Sequence, residues 1–163
     1  MDAAALAQAL SQTSFALTLP AATITRLAAL AQPKSLASGA TLFREGDSHD
    51  GFYIVRSGHV VLEMGIATRG RARILTVGPG ELLAWSTLVG DSRMTATAIA
   101  QDDVELLALS GRELAAACEA DHELGFQIMR RIAQGLSKRL LATRLQMLDL
   151  FHADASAATG GWS

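Results

Sequence analysis

Between Thr41 and Leu109 the chain alternates short apolar, β-branched runs with turn-forming residues at nearly even spacing. Phe52-Tyr53-Ile54-Val55 ends at Ser57-Gly58, Val60-Val61-Leu62-Glu63-Met64 at Gly65, and Arg73-Ile74-Leu75-Thr76-Val77 at Gly78-Pro79-Gly80. Thr95 to Ala100 ends at Gln101-Asp102-Asp103, and Val104 to Leu109 at Ser110-Gly111. Short strands broken by turns in this rhythm specify a β-sandwich, roll or barrel.

Helical periodicity flanks the strands. Pro20 suits a first turn, and Ile24, Leu27 and Leu30 then share one face until Pro33 ends the helix. Residues 1–19 are alanine-rich and read as a loose helical extension; Leu36 to Ala40 read as a turn. After the strands, Ser110 with Glu113 three residues on has the form of a capping box, opening a short helix to about Cys118. A longer helix is predicted from near Asp121 to about Phe151. Two stripes run along it: Met129, Leu136, Thr143 and Leu150 at one heptad position with Ala133, Leu140 and Met147 at the next, and beside them Ile128, Ile132, Leu141, Leu145 and Leu148. One stripe docks a helix on its own domain, and a second calls for another partner, which a parallel pair in a homodimer supplies. The boundaries are thus an extension over 1–19, a strand-rich body over 20–118, a long helix over 119–151 and a flexible tail over 152–163.

With 163 residues, half of them apolar, the chain can build one real core without a disulfide or metal staple. The single Cys118 excludes an internal disulfide and suits a reducing cytoplasm. The first residues lack the basic charge of a leader, and no apolar run approaches membrane-spanning length. A soluble cytoplasmic protein is expected. Net charge is −2, but Leu124 to Leu148 holds Arg130, Arg131, Lys138, Arg139 and Arg144 and no acid. A solvated or acid-paired helix face is the expectation there, ahead of a nucleic-acid or membrane face. Nothing resembling a helix-turn-helix follows Phe151, so no DNA binding by this chain alone is expected, and output passes to a separate partner or to a domain outside this sequence.

The glycine corner at 78–80 is the feature with a ligand chemistry. Glycines let backbone approach a guest, and the N–H groups of a helix start favour phosphate. Leu82, Leu83 and Leu88 can wrap a turn or two of helix after it, which places Glu81 at a helix start, able to cap it or to accept from sugar hydroxyls. Trp85 can stack on a base or fill a pocket. Enzyme chemistry is not expected: His49, His59, His122 and His152 sit at no metal-ligand spacing, Cys118 has no neighbouring base, and Ser86 lies in no nucleophile elbow. No cofactor or metal is called for.

Taken together, these segments resemble the cyclic nucleotide-binding domain of the catabolite-activator type over roughly residues 20–150. Phe43-Arg44-Glu45-Gly46-Asp47 looks like its early turn and Phe52 to Val60 like the strand and glycine turn that follow. Gly80-Glu81-Leu82 and Thr95-Ala96-Thr97 look like the two ends of its phosphate-binding cassette, and Asp103 to Leu109 is similar to its last strand. The resemblance implies a mainly β fold with helices: an antiparallel, jelly-roll-like β-roll flanked by an N-terminal helix and a long C-terminal dimerisation helix. It implies cAMP or cGMP as ligand, held by Gly80, Glu81, Leu82, Leu83, Trp85, Arg93, Met94 and Thr95. Glu81 would accept from the ribose 2′-OH and Thr95 would meet the phosphate or base. Where the family places its phosphate-binding arginine, this chain has Met94, and the neighbouring Arg93 reaches the pocket only if the loop before Thr95 bulges. The implied function is a regulatory module coupling ligand to the C-terminal helix; the alternative is a ligand-free dimeric interaction module.

Overall fold

The computed structural model describes residues 2–68 and 70–159. Its elements run α1 Ala3–Ser11, α2 Ala21–Leu30, β1 Gln32–Leu36, β2 Thr41–Phe43, β3 Gly51–Ser57, β4 Val60–Ile66, β5 Gly70–Val77, β6 Leu82–Leu83, α3 Ser86–Val89, β7 Thr97–Ala100, β8 Val104–Ser110, α4 Gly111–Ala120 and α5 His122–Thr159. The strands form two four-stranded sheets, ordered β1-β8-β3-β6 and β2-β7-β4-β5, with every pairing antiparallel. This is the expected β-roll with flanking helices.

Strand alternation builds two cores from one sheet. In β3, Phe52 and Ile54 face the helices while Tyr53 and Val55 face into the roll; in β8, Leu107 and Leu109 face the helices while Val104 and Leu106 face inward. The roll interior is completed by Phe43, Val60, Val77, Leu83, Met94 and Ala98, and the helix side by Leu10, Leu27, Leu114, Leu124, Ile128 and Ile132.

Several expectations are corrected. Within residues 2–19 the expected helix forms over Ala3–Ser11 but is not loose: Asp2 caps it by accepting from Ala5 N at 2.8 Å, and Leu6, Leu10, Phe15, Ala16 and Leu19 are buried in the helix-side core. Gln32–Leu36 is a strand on the edge of its sheet, where Pro33 costs no internal ladder bond. Leu82 and Leu83 are strand rather than helix, pairing with Ile54 and Tyr53 and sending one leucine to each core. The long helix continues past Phe151 to Thr159, across the first part of the expected tail. Its last turns carry four alanines, good helix formers, and the first glycine after them is Gly160; residues 160–163 lie outside the described residues.

Helix ends follow local rules. Ser110 Oγ accepts from Glu113 N at 3.3 Å, and its hydroxyl donates to Asp50 at 2.7 Å, fixing α4 to the start of β3. Asp121 accepts from Glu123 N and Leu124 N, opening α5 at the bend from α4. Among the described residues no helix is long and apolar enough to cross a membrane.

Candidate functional site

The corner after β5 is held by backbone. Gly80 N donates to Val55 O at 2.8 Å and Val55 N to Glu81 O at 3.0 Å, so the turn is stitched to β3 before β6 begins. Gly80 has φ +82, and a Cβ there would stand 1.8 Å from Ser14 Oγ, so the N-terminal segment presses on the corner where only glycine fits. The Glu81 carboxylate accepts from Gly78 N at 2.7 Å and lines the groove outside the roll. It does not stand at a helix start, because the helix begins only at Ser86, after Ala84 has turned the chain with φ 60. Contrary to expectation, no helix dipole therefore favours an anion at Glu81.

The second half of the expected set folds differently from a phosphate cradle. Gly46 N donates to Met94 O at 2.7 Å, Met94 N to Asp47 O at 2.9 Å and His49 N to Ser92 O at 3.0 Å, while Ser48 bridges Arg93. After Ser92, which turns the chain with φ 61, the bridge of Arg93 to Ser48 sends the neighbouring side chains of Arg93 and Met94 to opposite sides. Met94 consequently points into the roll and is 3% exposed, whereas Arg93 is exposed and lines neither hollow described below. The Arg93 side chain is thus not turned inward. Thr95 is exposed at the rim, and Leu83 is buried with Met94 inside.

Inside the roll a hollow of about 30 Å³ is bordered by Phe43, Leu62, Leu83, Trp85, Met94, Thr95 and Arg139. A ligand pocket needs roughly 300–1,000 Å³. The Met94 thioether packs there among Phe43, Leu83, Ala84 and Ala98. Open volume lies on the other side of the corner: a groove of about 800 Å³ runs between Ser14-Phe15, Gly80 to Trp85 and residues 130–139 of α5. Trp85 is half-buried at its edge, packed on the helix-side core. Of the expected set, Gly80, Glu81 and Leu82 come together on this groove, Leu83, Met94 and Thr95 gather at the interior hollow, Trp85 borders both, and Arg93 joins neither.

Sequence reading missed Arg139. Leu124, Ile128 and Ile132 are buried and Leu136 is half-buried, so α5 docks along one row at helical spacing, and Arg139 is the next residue of that row. Its guanidinium donates to the Leu82 carbonyl and borders both the groove and the interior hollow. Burial pushes its pKa down from the ordinary guanidinium value, and the nearby Glu81 carboxylate pulls it back up. Beyond Arg139 the docked row ends: Leu140, Leu141, Leu145, Met147 and Leu148 are all more than half exposed. The two stripes expected from sequence therefore divide by position along the helix, with Ile128 and Ile132 docked inside the chain. A cation three residues after Leu136, on the face of the docked row, was the signal in the sequence.

Elsewhere the polar groups have structural partners. His49 Nε2 lies 2.8 Å from Tyr53 Oη beside the Phe43 ring, and burial holds its pKa below the usual histidine value. Cys118 is half-buried, and burial raises its thiol pKa, which makes it a poor nucleophile. Among the described residues no group of three or more His, Cys, Asp or Glu could hold a metal ion.

Comparison with known proteins places this geometry. The family model described as "Cyclic nucleotide-binding domain" matches residues 33–121. The Cyclic AMP receptor protein of Thermus thermophilus is 34% identical over 116 residues, covering 69% of this chain and 48% of that protein. The chain thus spans about half the length of that curated relative. Among solved structures, the N-terminal domain of a transcriptional regulator from Streptomyces coelicolor A3(2) is 30% identical with a TM-score of 0.66, covering 82% of this chain and 94% of that one. A cyclic nucleotide-binding domain from Methylobacillus flagellatus KT shares the fold at 18% identity, TM-score 0.77, covering 90% and 83% respectively.

Proposed function

The chain belongs to the cyclic nucleotide-binding domain family, and from that premise we propose that it is a regulatory module: a nucleotide at the 80–85 corner biases the seating of α5, which passes the signal to a second copy and a separate partner protein. The observation that carries this is the Arg139 bond to the Leu82 carbonyl. It makes the corner and the helix one mechanical unit, so a guest that competes for either group must act on the other. Only a ligand with different affinities for the two seatings can shift them.

The ligand class proposed is the family's own, a cAMP- or cGMP-like anion, with Glu81 accepting from its ribose and Trp85 as the stacking surface. Pairing of two copies is proposed through the α5 residues beyond Arg139. Leu141, Leu145 and Leu148 lie at i, i+4 and i+7 and are more than half exposed, an apolar stripe that a second helix would cover.

Calorimetry with cAMP and cGMP, paired with hydrogen exchange along α5, tests the reading. Saturable heat that is lost on Glu81→Ala, with altered protection of residues 132–148 on binding, is the expected outcome. Heat without any change in α5 contradicts the coupling. Burial of Met94 in the roll favours a second reading, a ligand-free dimeric interaction module. Absence of heat with every nucleotide, in a chain that still dimerises, selects it.

A further inference from the structure

We infer that the groove between the 80–85 corner and α5 takes a nucleotide carrying at least two phosphate groups, with Arg139 as the residue that grips one of them. This rests on the corner's being the ligand face, and goes beyond it in assigning the charge class of the guest and the cation that holds it.

Charge is the first argument. The groove is lined by Arg130, Arg131, Lys138 and Arg139 against a single carboxylate, Glu81, and that carboxylate is already engaged by Gly78 N. One cyclic monophosphate carries one negative charge and leaves this excess largely uncompensated; a guest with two or more phosphates matches it. Volume is the second. About 800 Å³ accommodates a guest larger than a mononucleotide, while the hollow bordered by Met94 inside the roll, at about 30 Å³, is far smaller than a ligand pocket.

Position supplies the third. Met94 puts no cation inside the roll and Arg93 is exposed; of the two half-buried arginines on the groove, Arg131 is bonded to Thr18 and Gln134, and Arg139 is the one bonded to the corner itself. A guanidinium has five donors in a fixed fork, and among the described residues its recorded acceptor is one neutral carbonyl. A phosphate offers it two anionic oxygens and a stronger, bidentate bond. Exchange of the Leu82 carbonyl for a phosphate would move the end of the docked row of α5. Trp85 at the groove edge gives a base a surface on which to stack.

The test is calorimetry on the full chain with cyclic di-GMP, ADP and cAMP, at two salt concentrations. We expect cyclic di-GMP or ADP to bind at least about tenfold more tightly than cAMP and to weaken as salt rises; whichever of the two binds names the source of the diphosphate. Arg139→Gln should weaken that binding on the order of 10- to 100-fold, the loss of one charge-assisted hydrogen bond, with Arg139→Lys in between. Circular dichroism checks that these variants fold. Should Arg139→Gln not fold, Arg130→Gln and Lys138→Gln, at exposed positions, must each weaken the same binding. Tightest binding by cAMP, indifferent to all these substitutions but lost on Glu81→Ala, overturns the inference and leaves the proposed function standing. No saturable heat from any of the three overturns both.

Discussion

Met94→Ala separates a filled roll from an empty chamber. The side chain is 3% exposed among Phe43, Leu83, Ala84 and Ala98, and it borders a hollow of about 30 Å³. Truncating a buried methionine to alanine costs about 2–5 kcal/mol, the larger values arising where neighbours cannot collapse into the gap. Here the wall opposite is backbone-paired strand, and the existing hollow adds to the new void, at roughly 24 cal/mol per Å³ of residual cavity. We therefore expect a loss of about 3 kcal/mol in urea unfolding, seen as a lower midpoint with an unchanged slope. Nucleotide binding, if seated in the outer groove, should survive the substitution. A loss below about 1 kcal/mol, or a gain in stability, would refute the packing argument, since a side chain lodged in a ligand chamber rather than a core can be removed at little cost.

Three further outcomes follow from the same geometry. Gly80→Ala forces a left-handed φ on an L residue, about 1–2 kcal/mol, and drives its Cβ into Ser14; thermal unfolding should show a loss of at least about 2 kcal/mol, and an unchanged midpoint would mean that the N-terminal segment does not press on the corner. Leu145→Glu, in the exposed stripe of α5, should convert a dimer to a monomer in light scattering without lowering the stability of the roll; a dimer that persists argues for pairing elsewhere. His49 has a folded pKa below its unfolded value because burial disfavours the imidazolium. The unfolded state therefore binds more protons, so His49 lowers stability as pH falls through about 6.5 toward the depressed folded value, and its contribution is fully present above that window. Replacing it by Gln should flatten the unfolding midpoint between pH 5 and 7, whereas an undiminished slope would assign the titration to another group.

Much of the roll could be read from sequence because each strand buries one or both faces with its own residues. Phe52 to Val55 and Val104 to Leu109 declare themselves by composition, and the turns by glycine and aspartate. Gln32–Leu36 did not, since an edge strand with a proline and a lysine carries no apolar pattern of its own and is fixed by β8. Leu82–Leu83 is too short to show a period, and only its partner in β3 makes it a strand. The site divided along the same line. Gly80 and Glu81 are local features of a turn and are legible as that; the outward turn of Arg93 depends on pairing with the 46–49 loop, a contact between distant segments. Arg139 lies 57 residues from the carbonyl it binds. Its only trace in the sequence is a charge falling where an apolar residue would continue the docked row.

Methyl-resolved NMR of the nucleotide-titrated chain puts the location of the ligand to the most direct test. Ile132 lines the outer groove and Met94 the roll interior, and both are buried. The account predicts that the Ile132 methyl resonances shift in step with saturation while the Met94 methyl stays in place. Movement of the Met94 methyl with Ile132 unchanged would put the nucleotide inside the roll and contradict it.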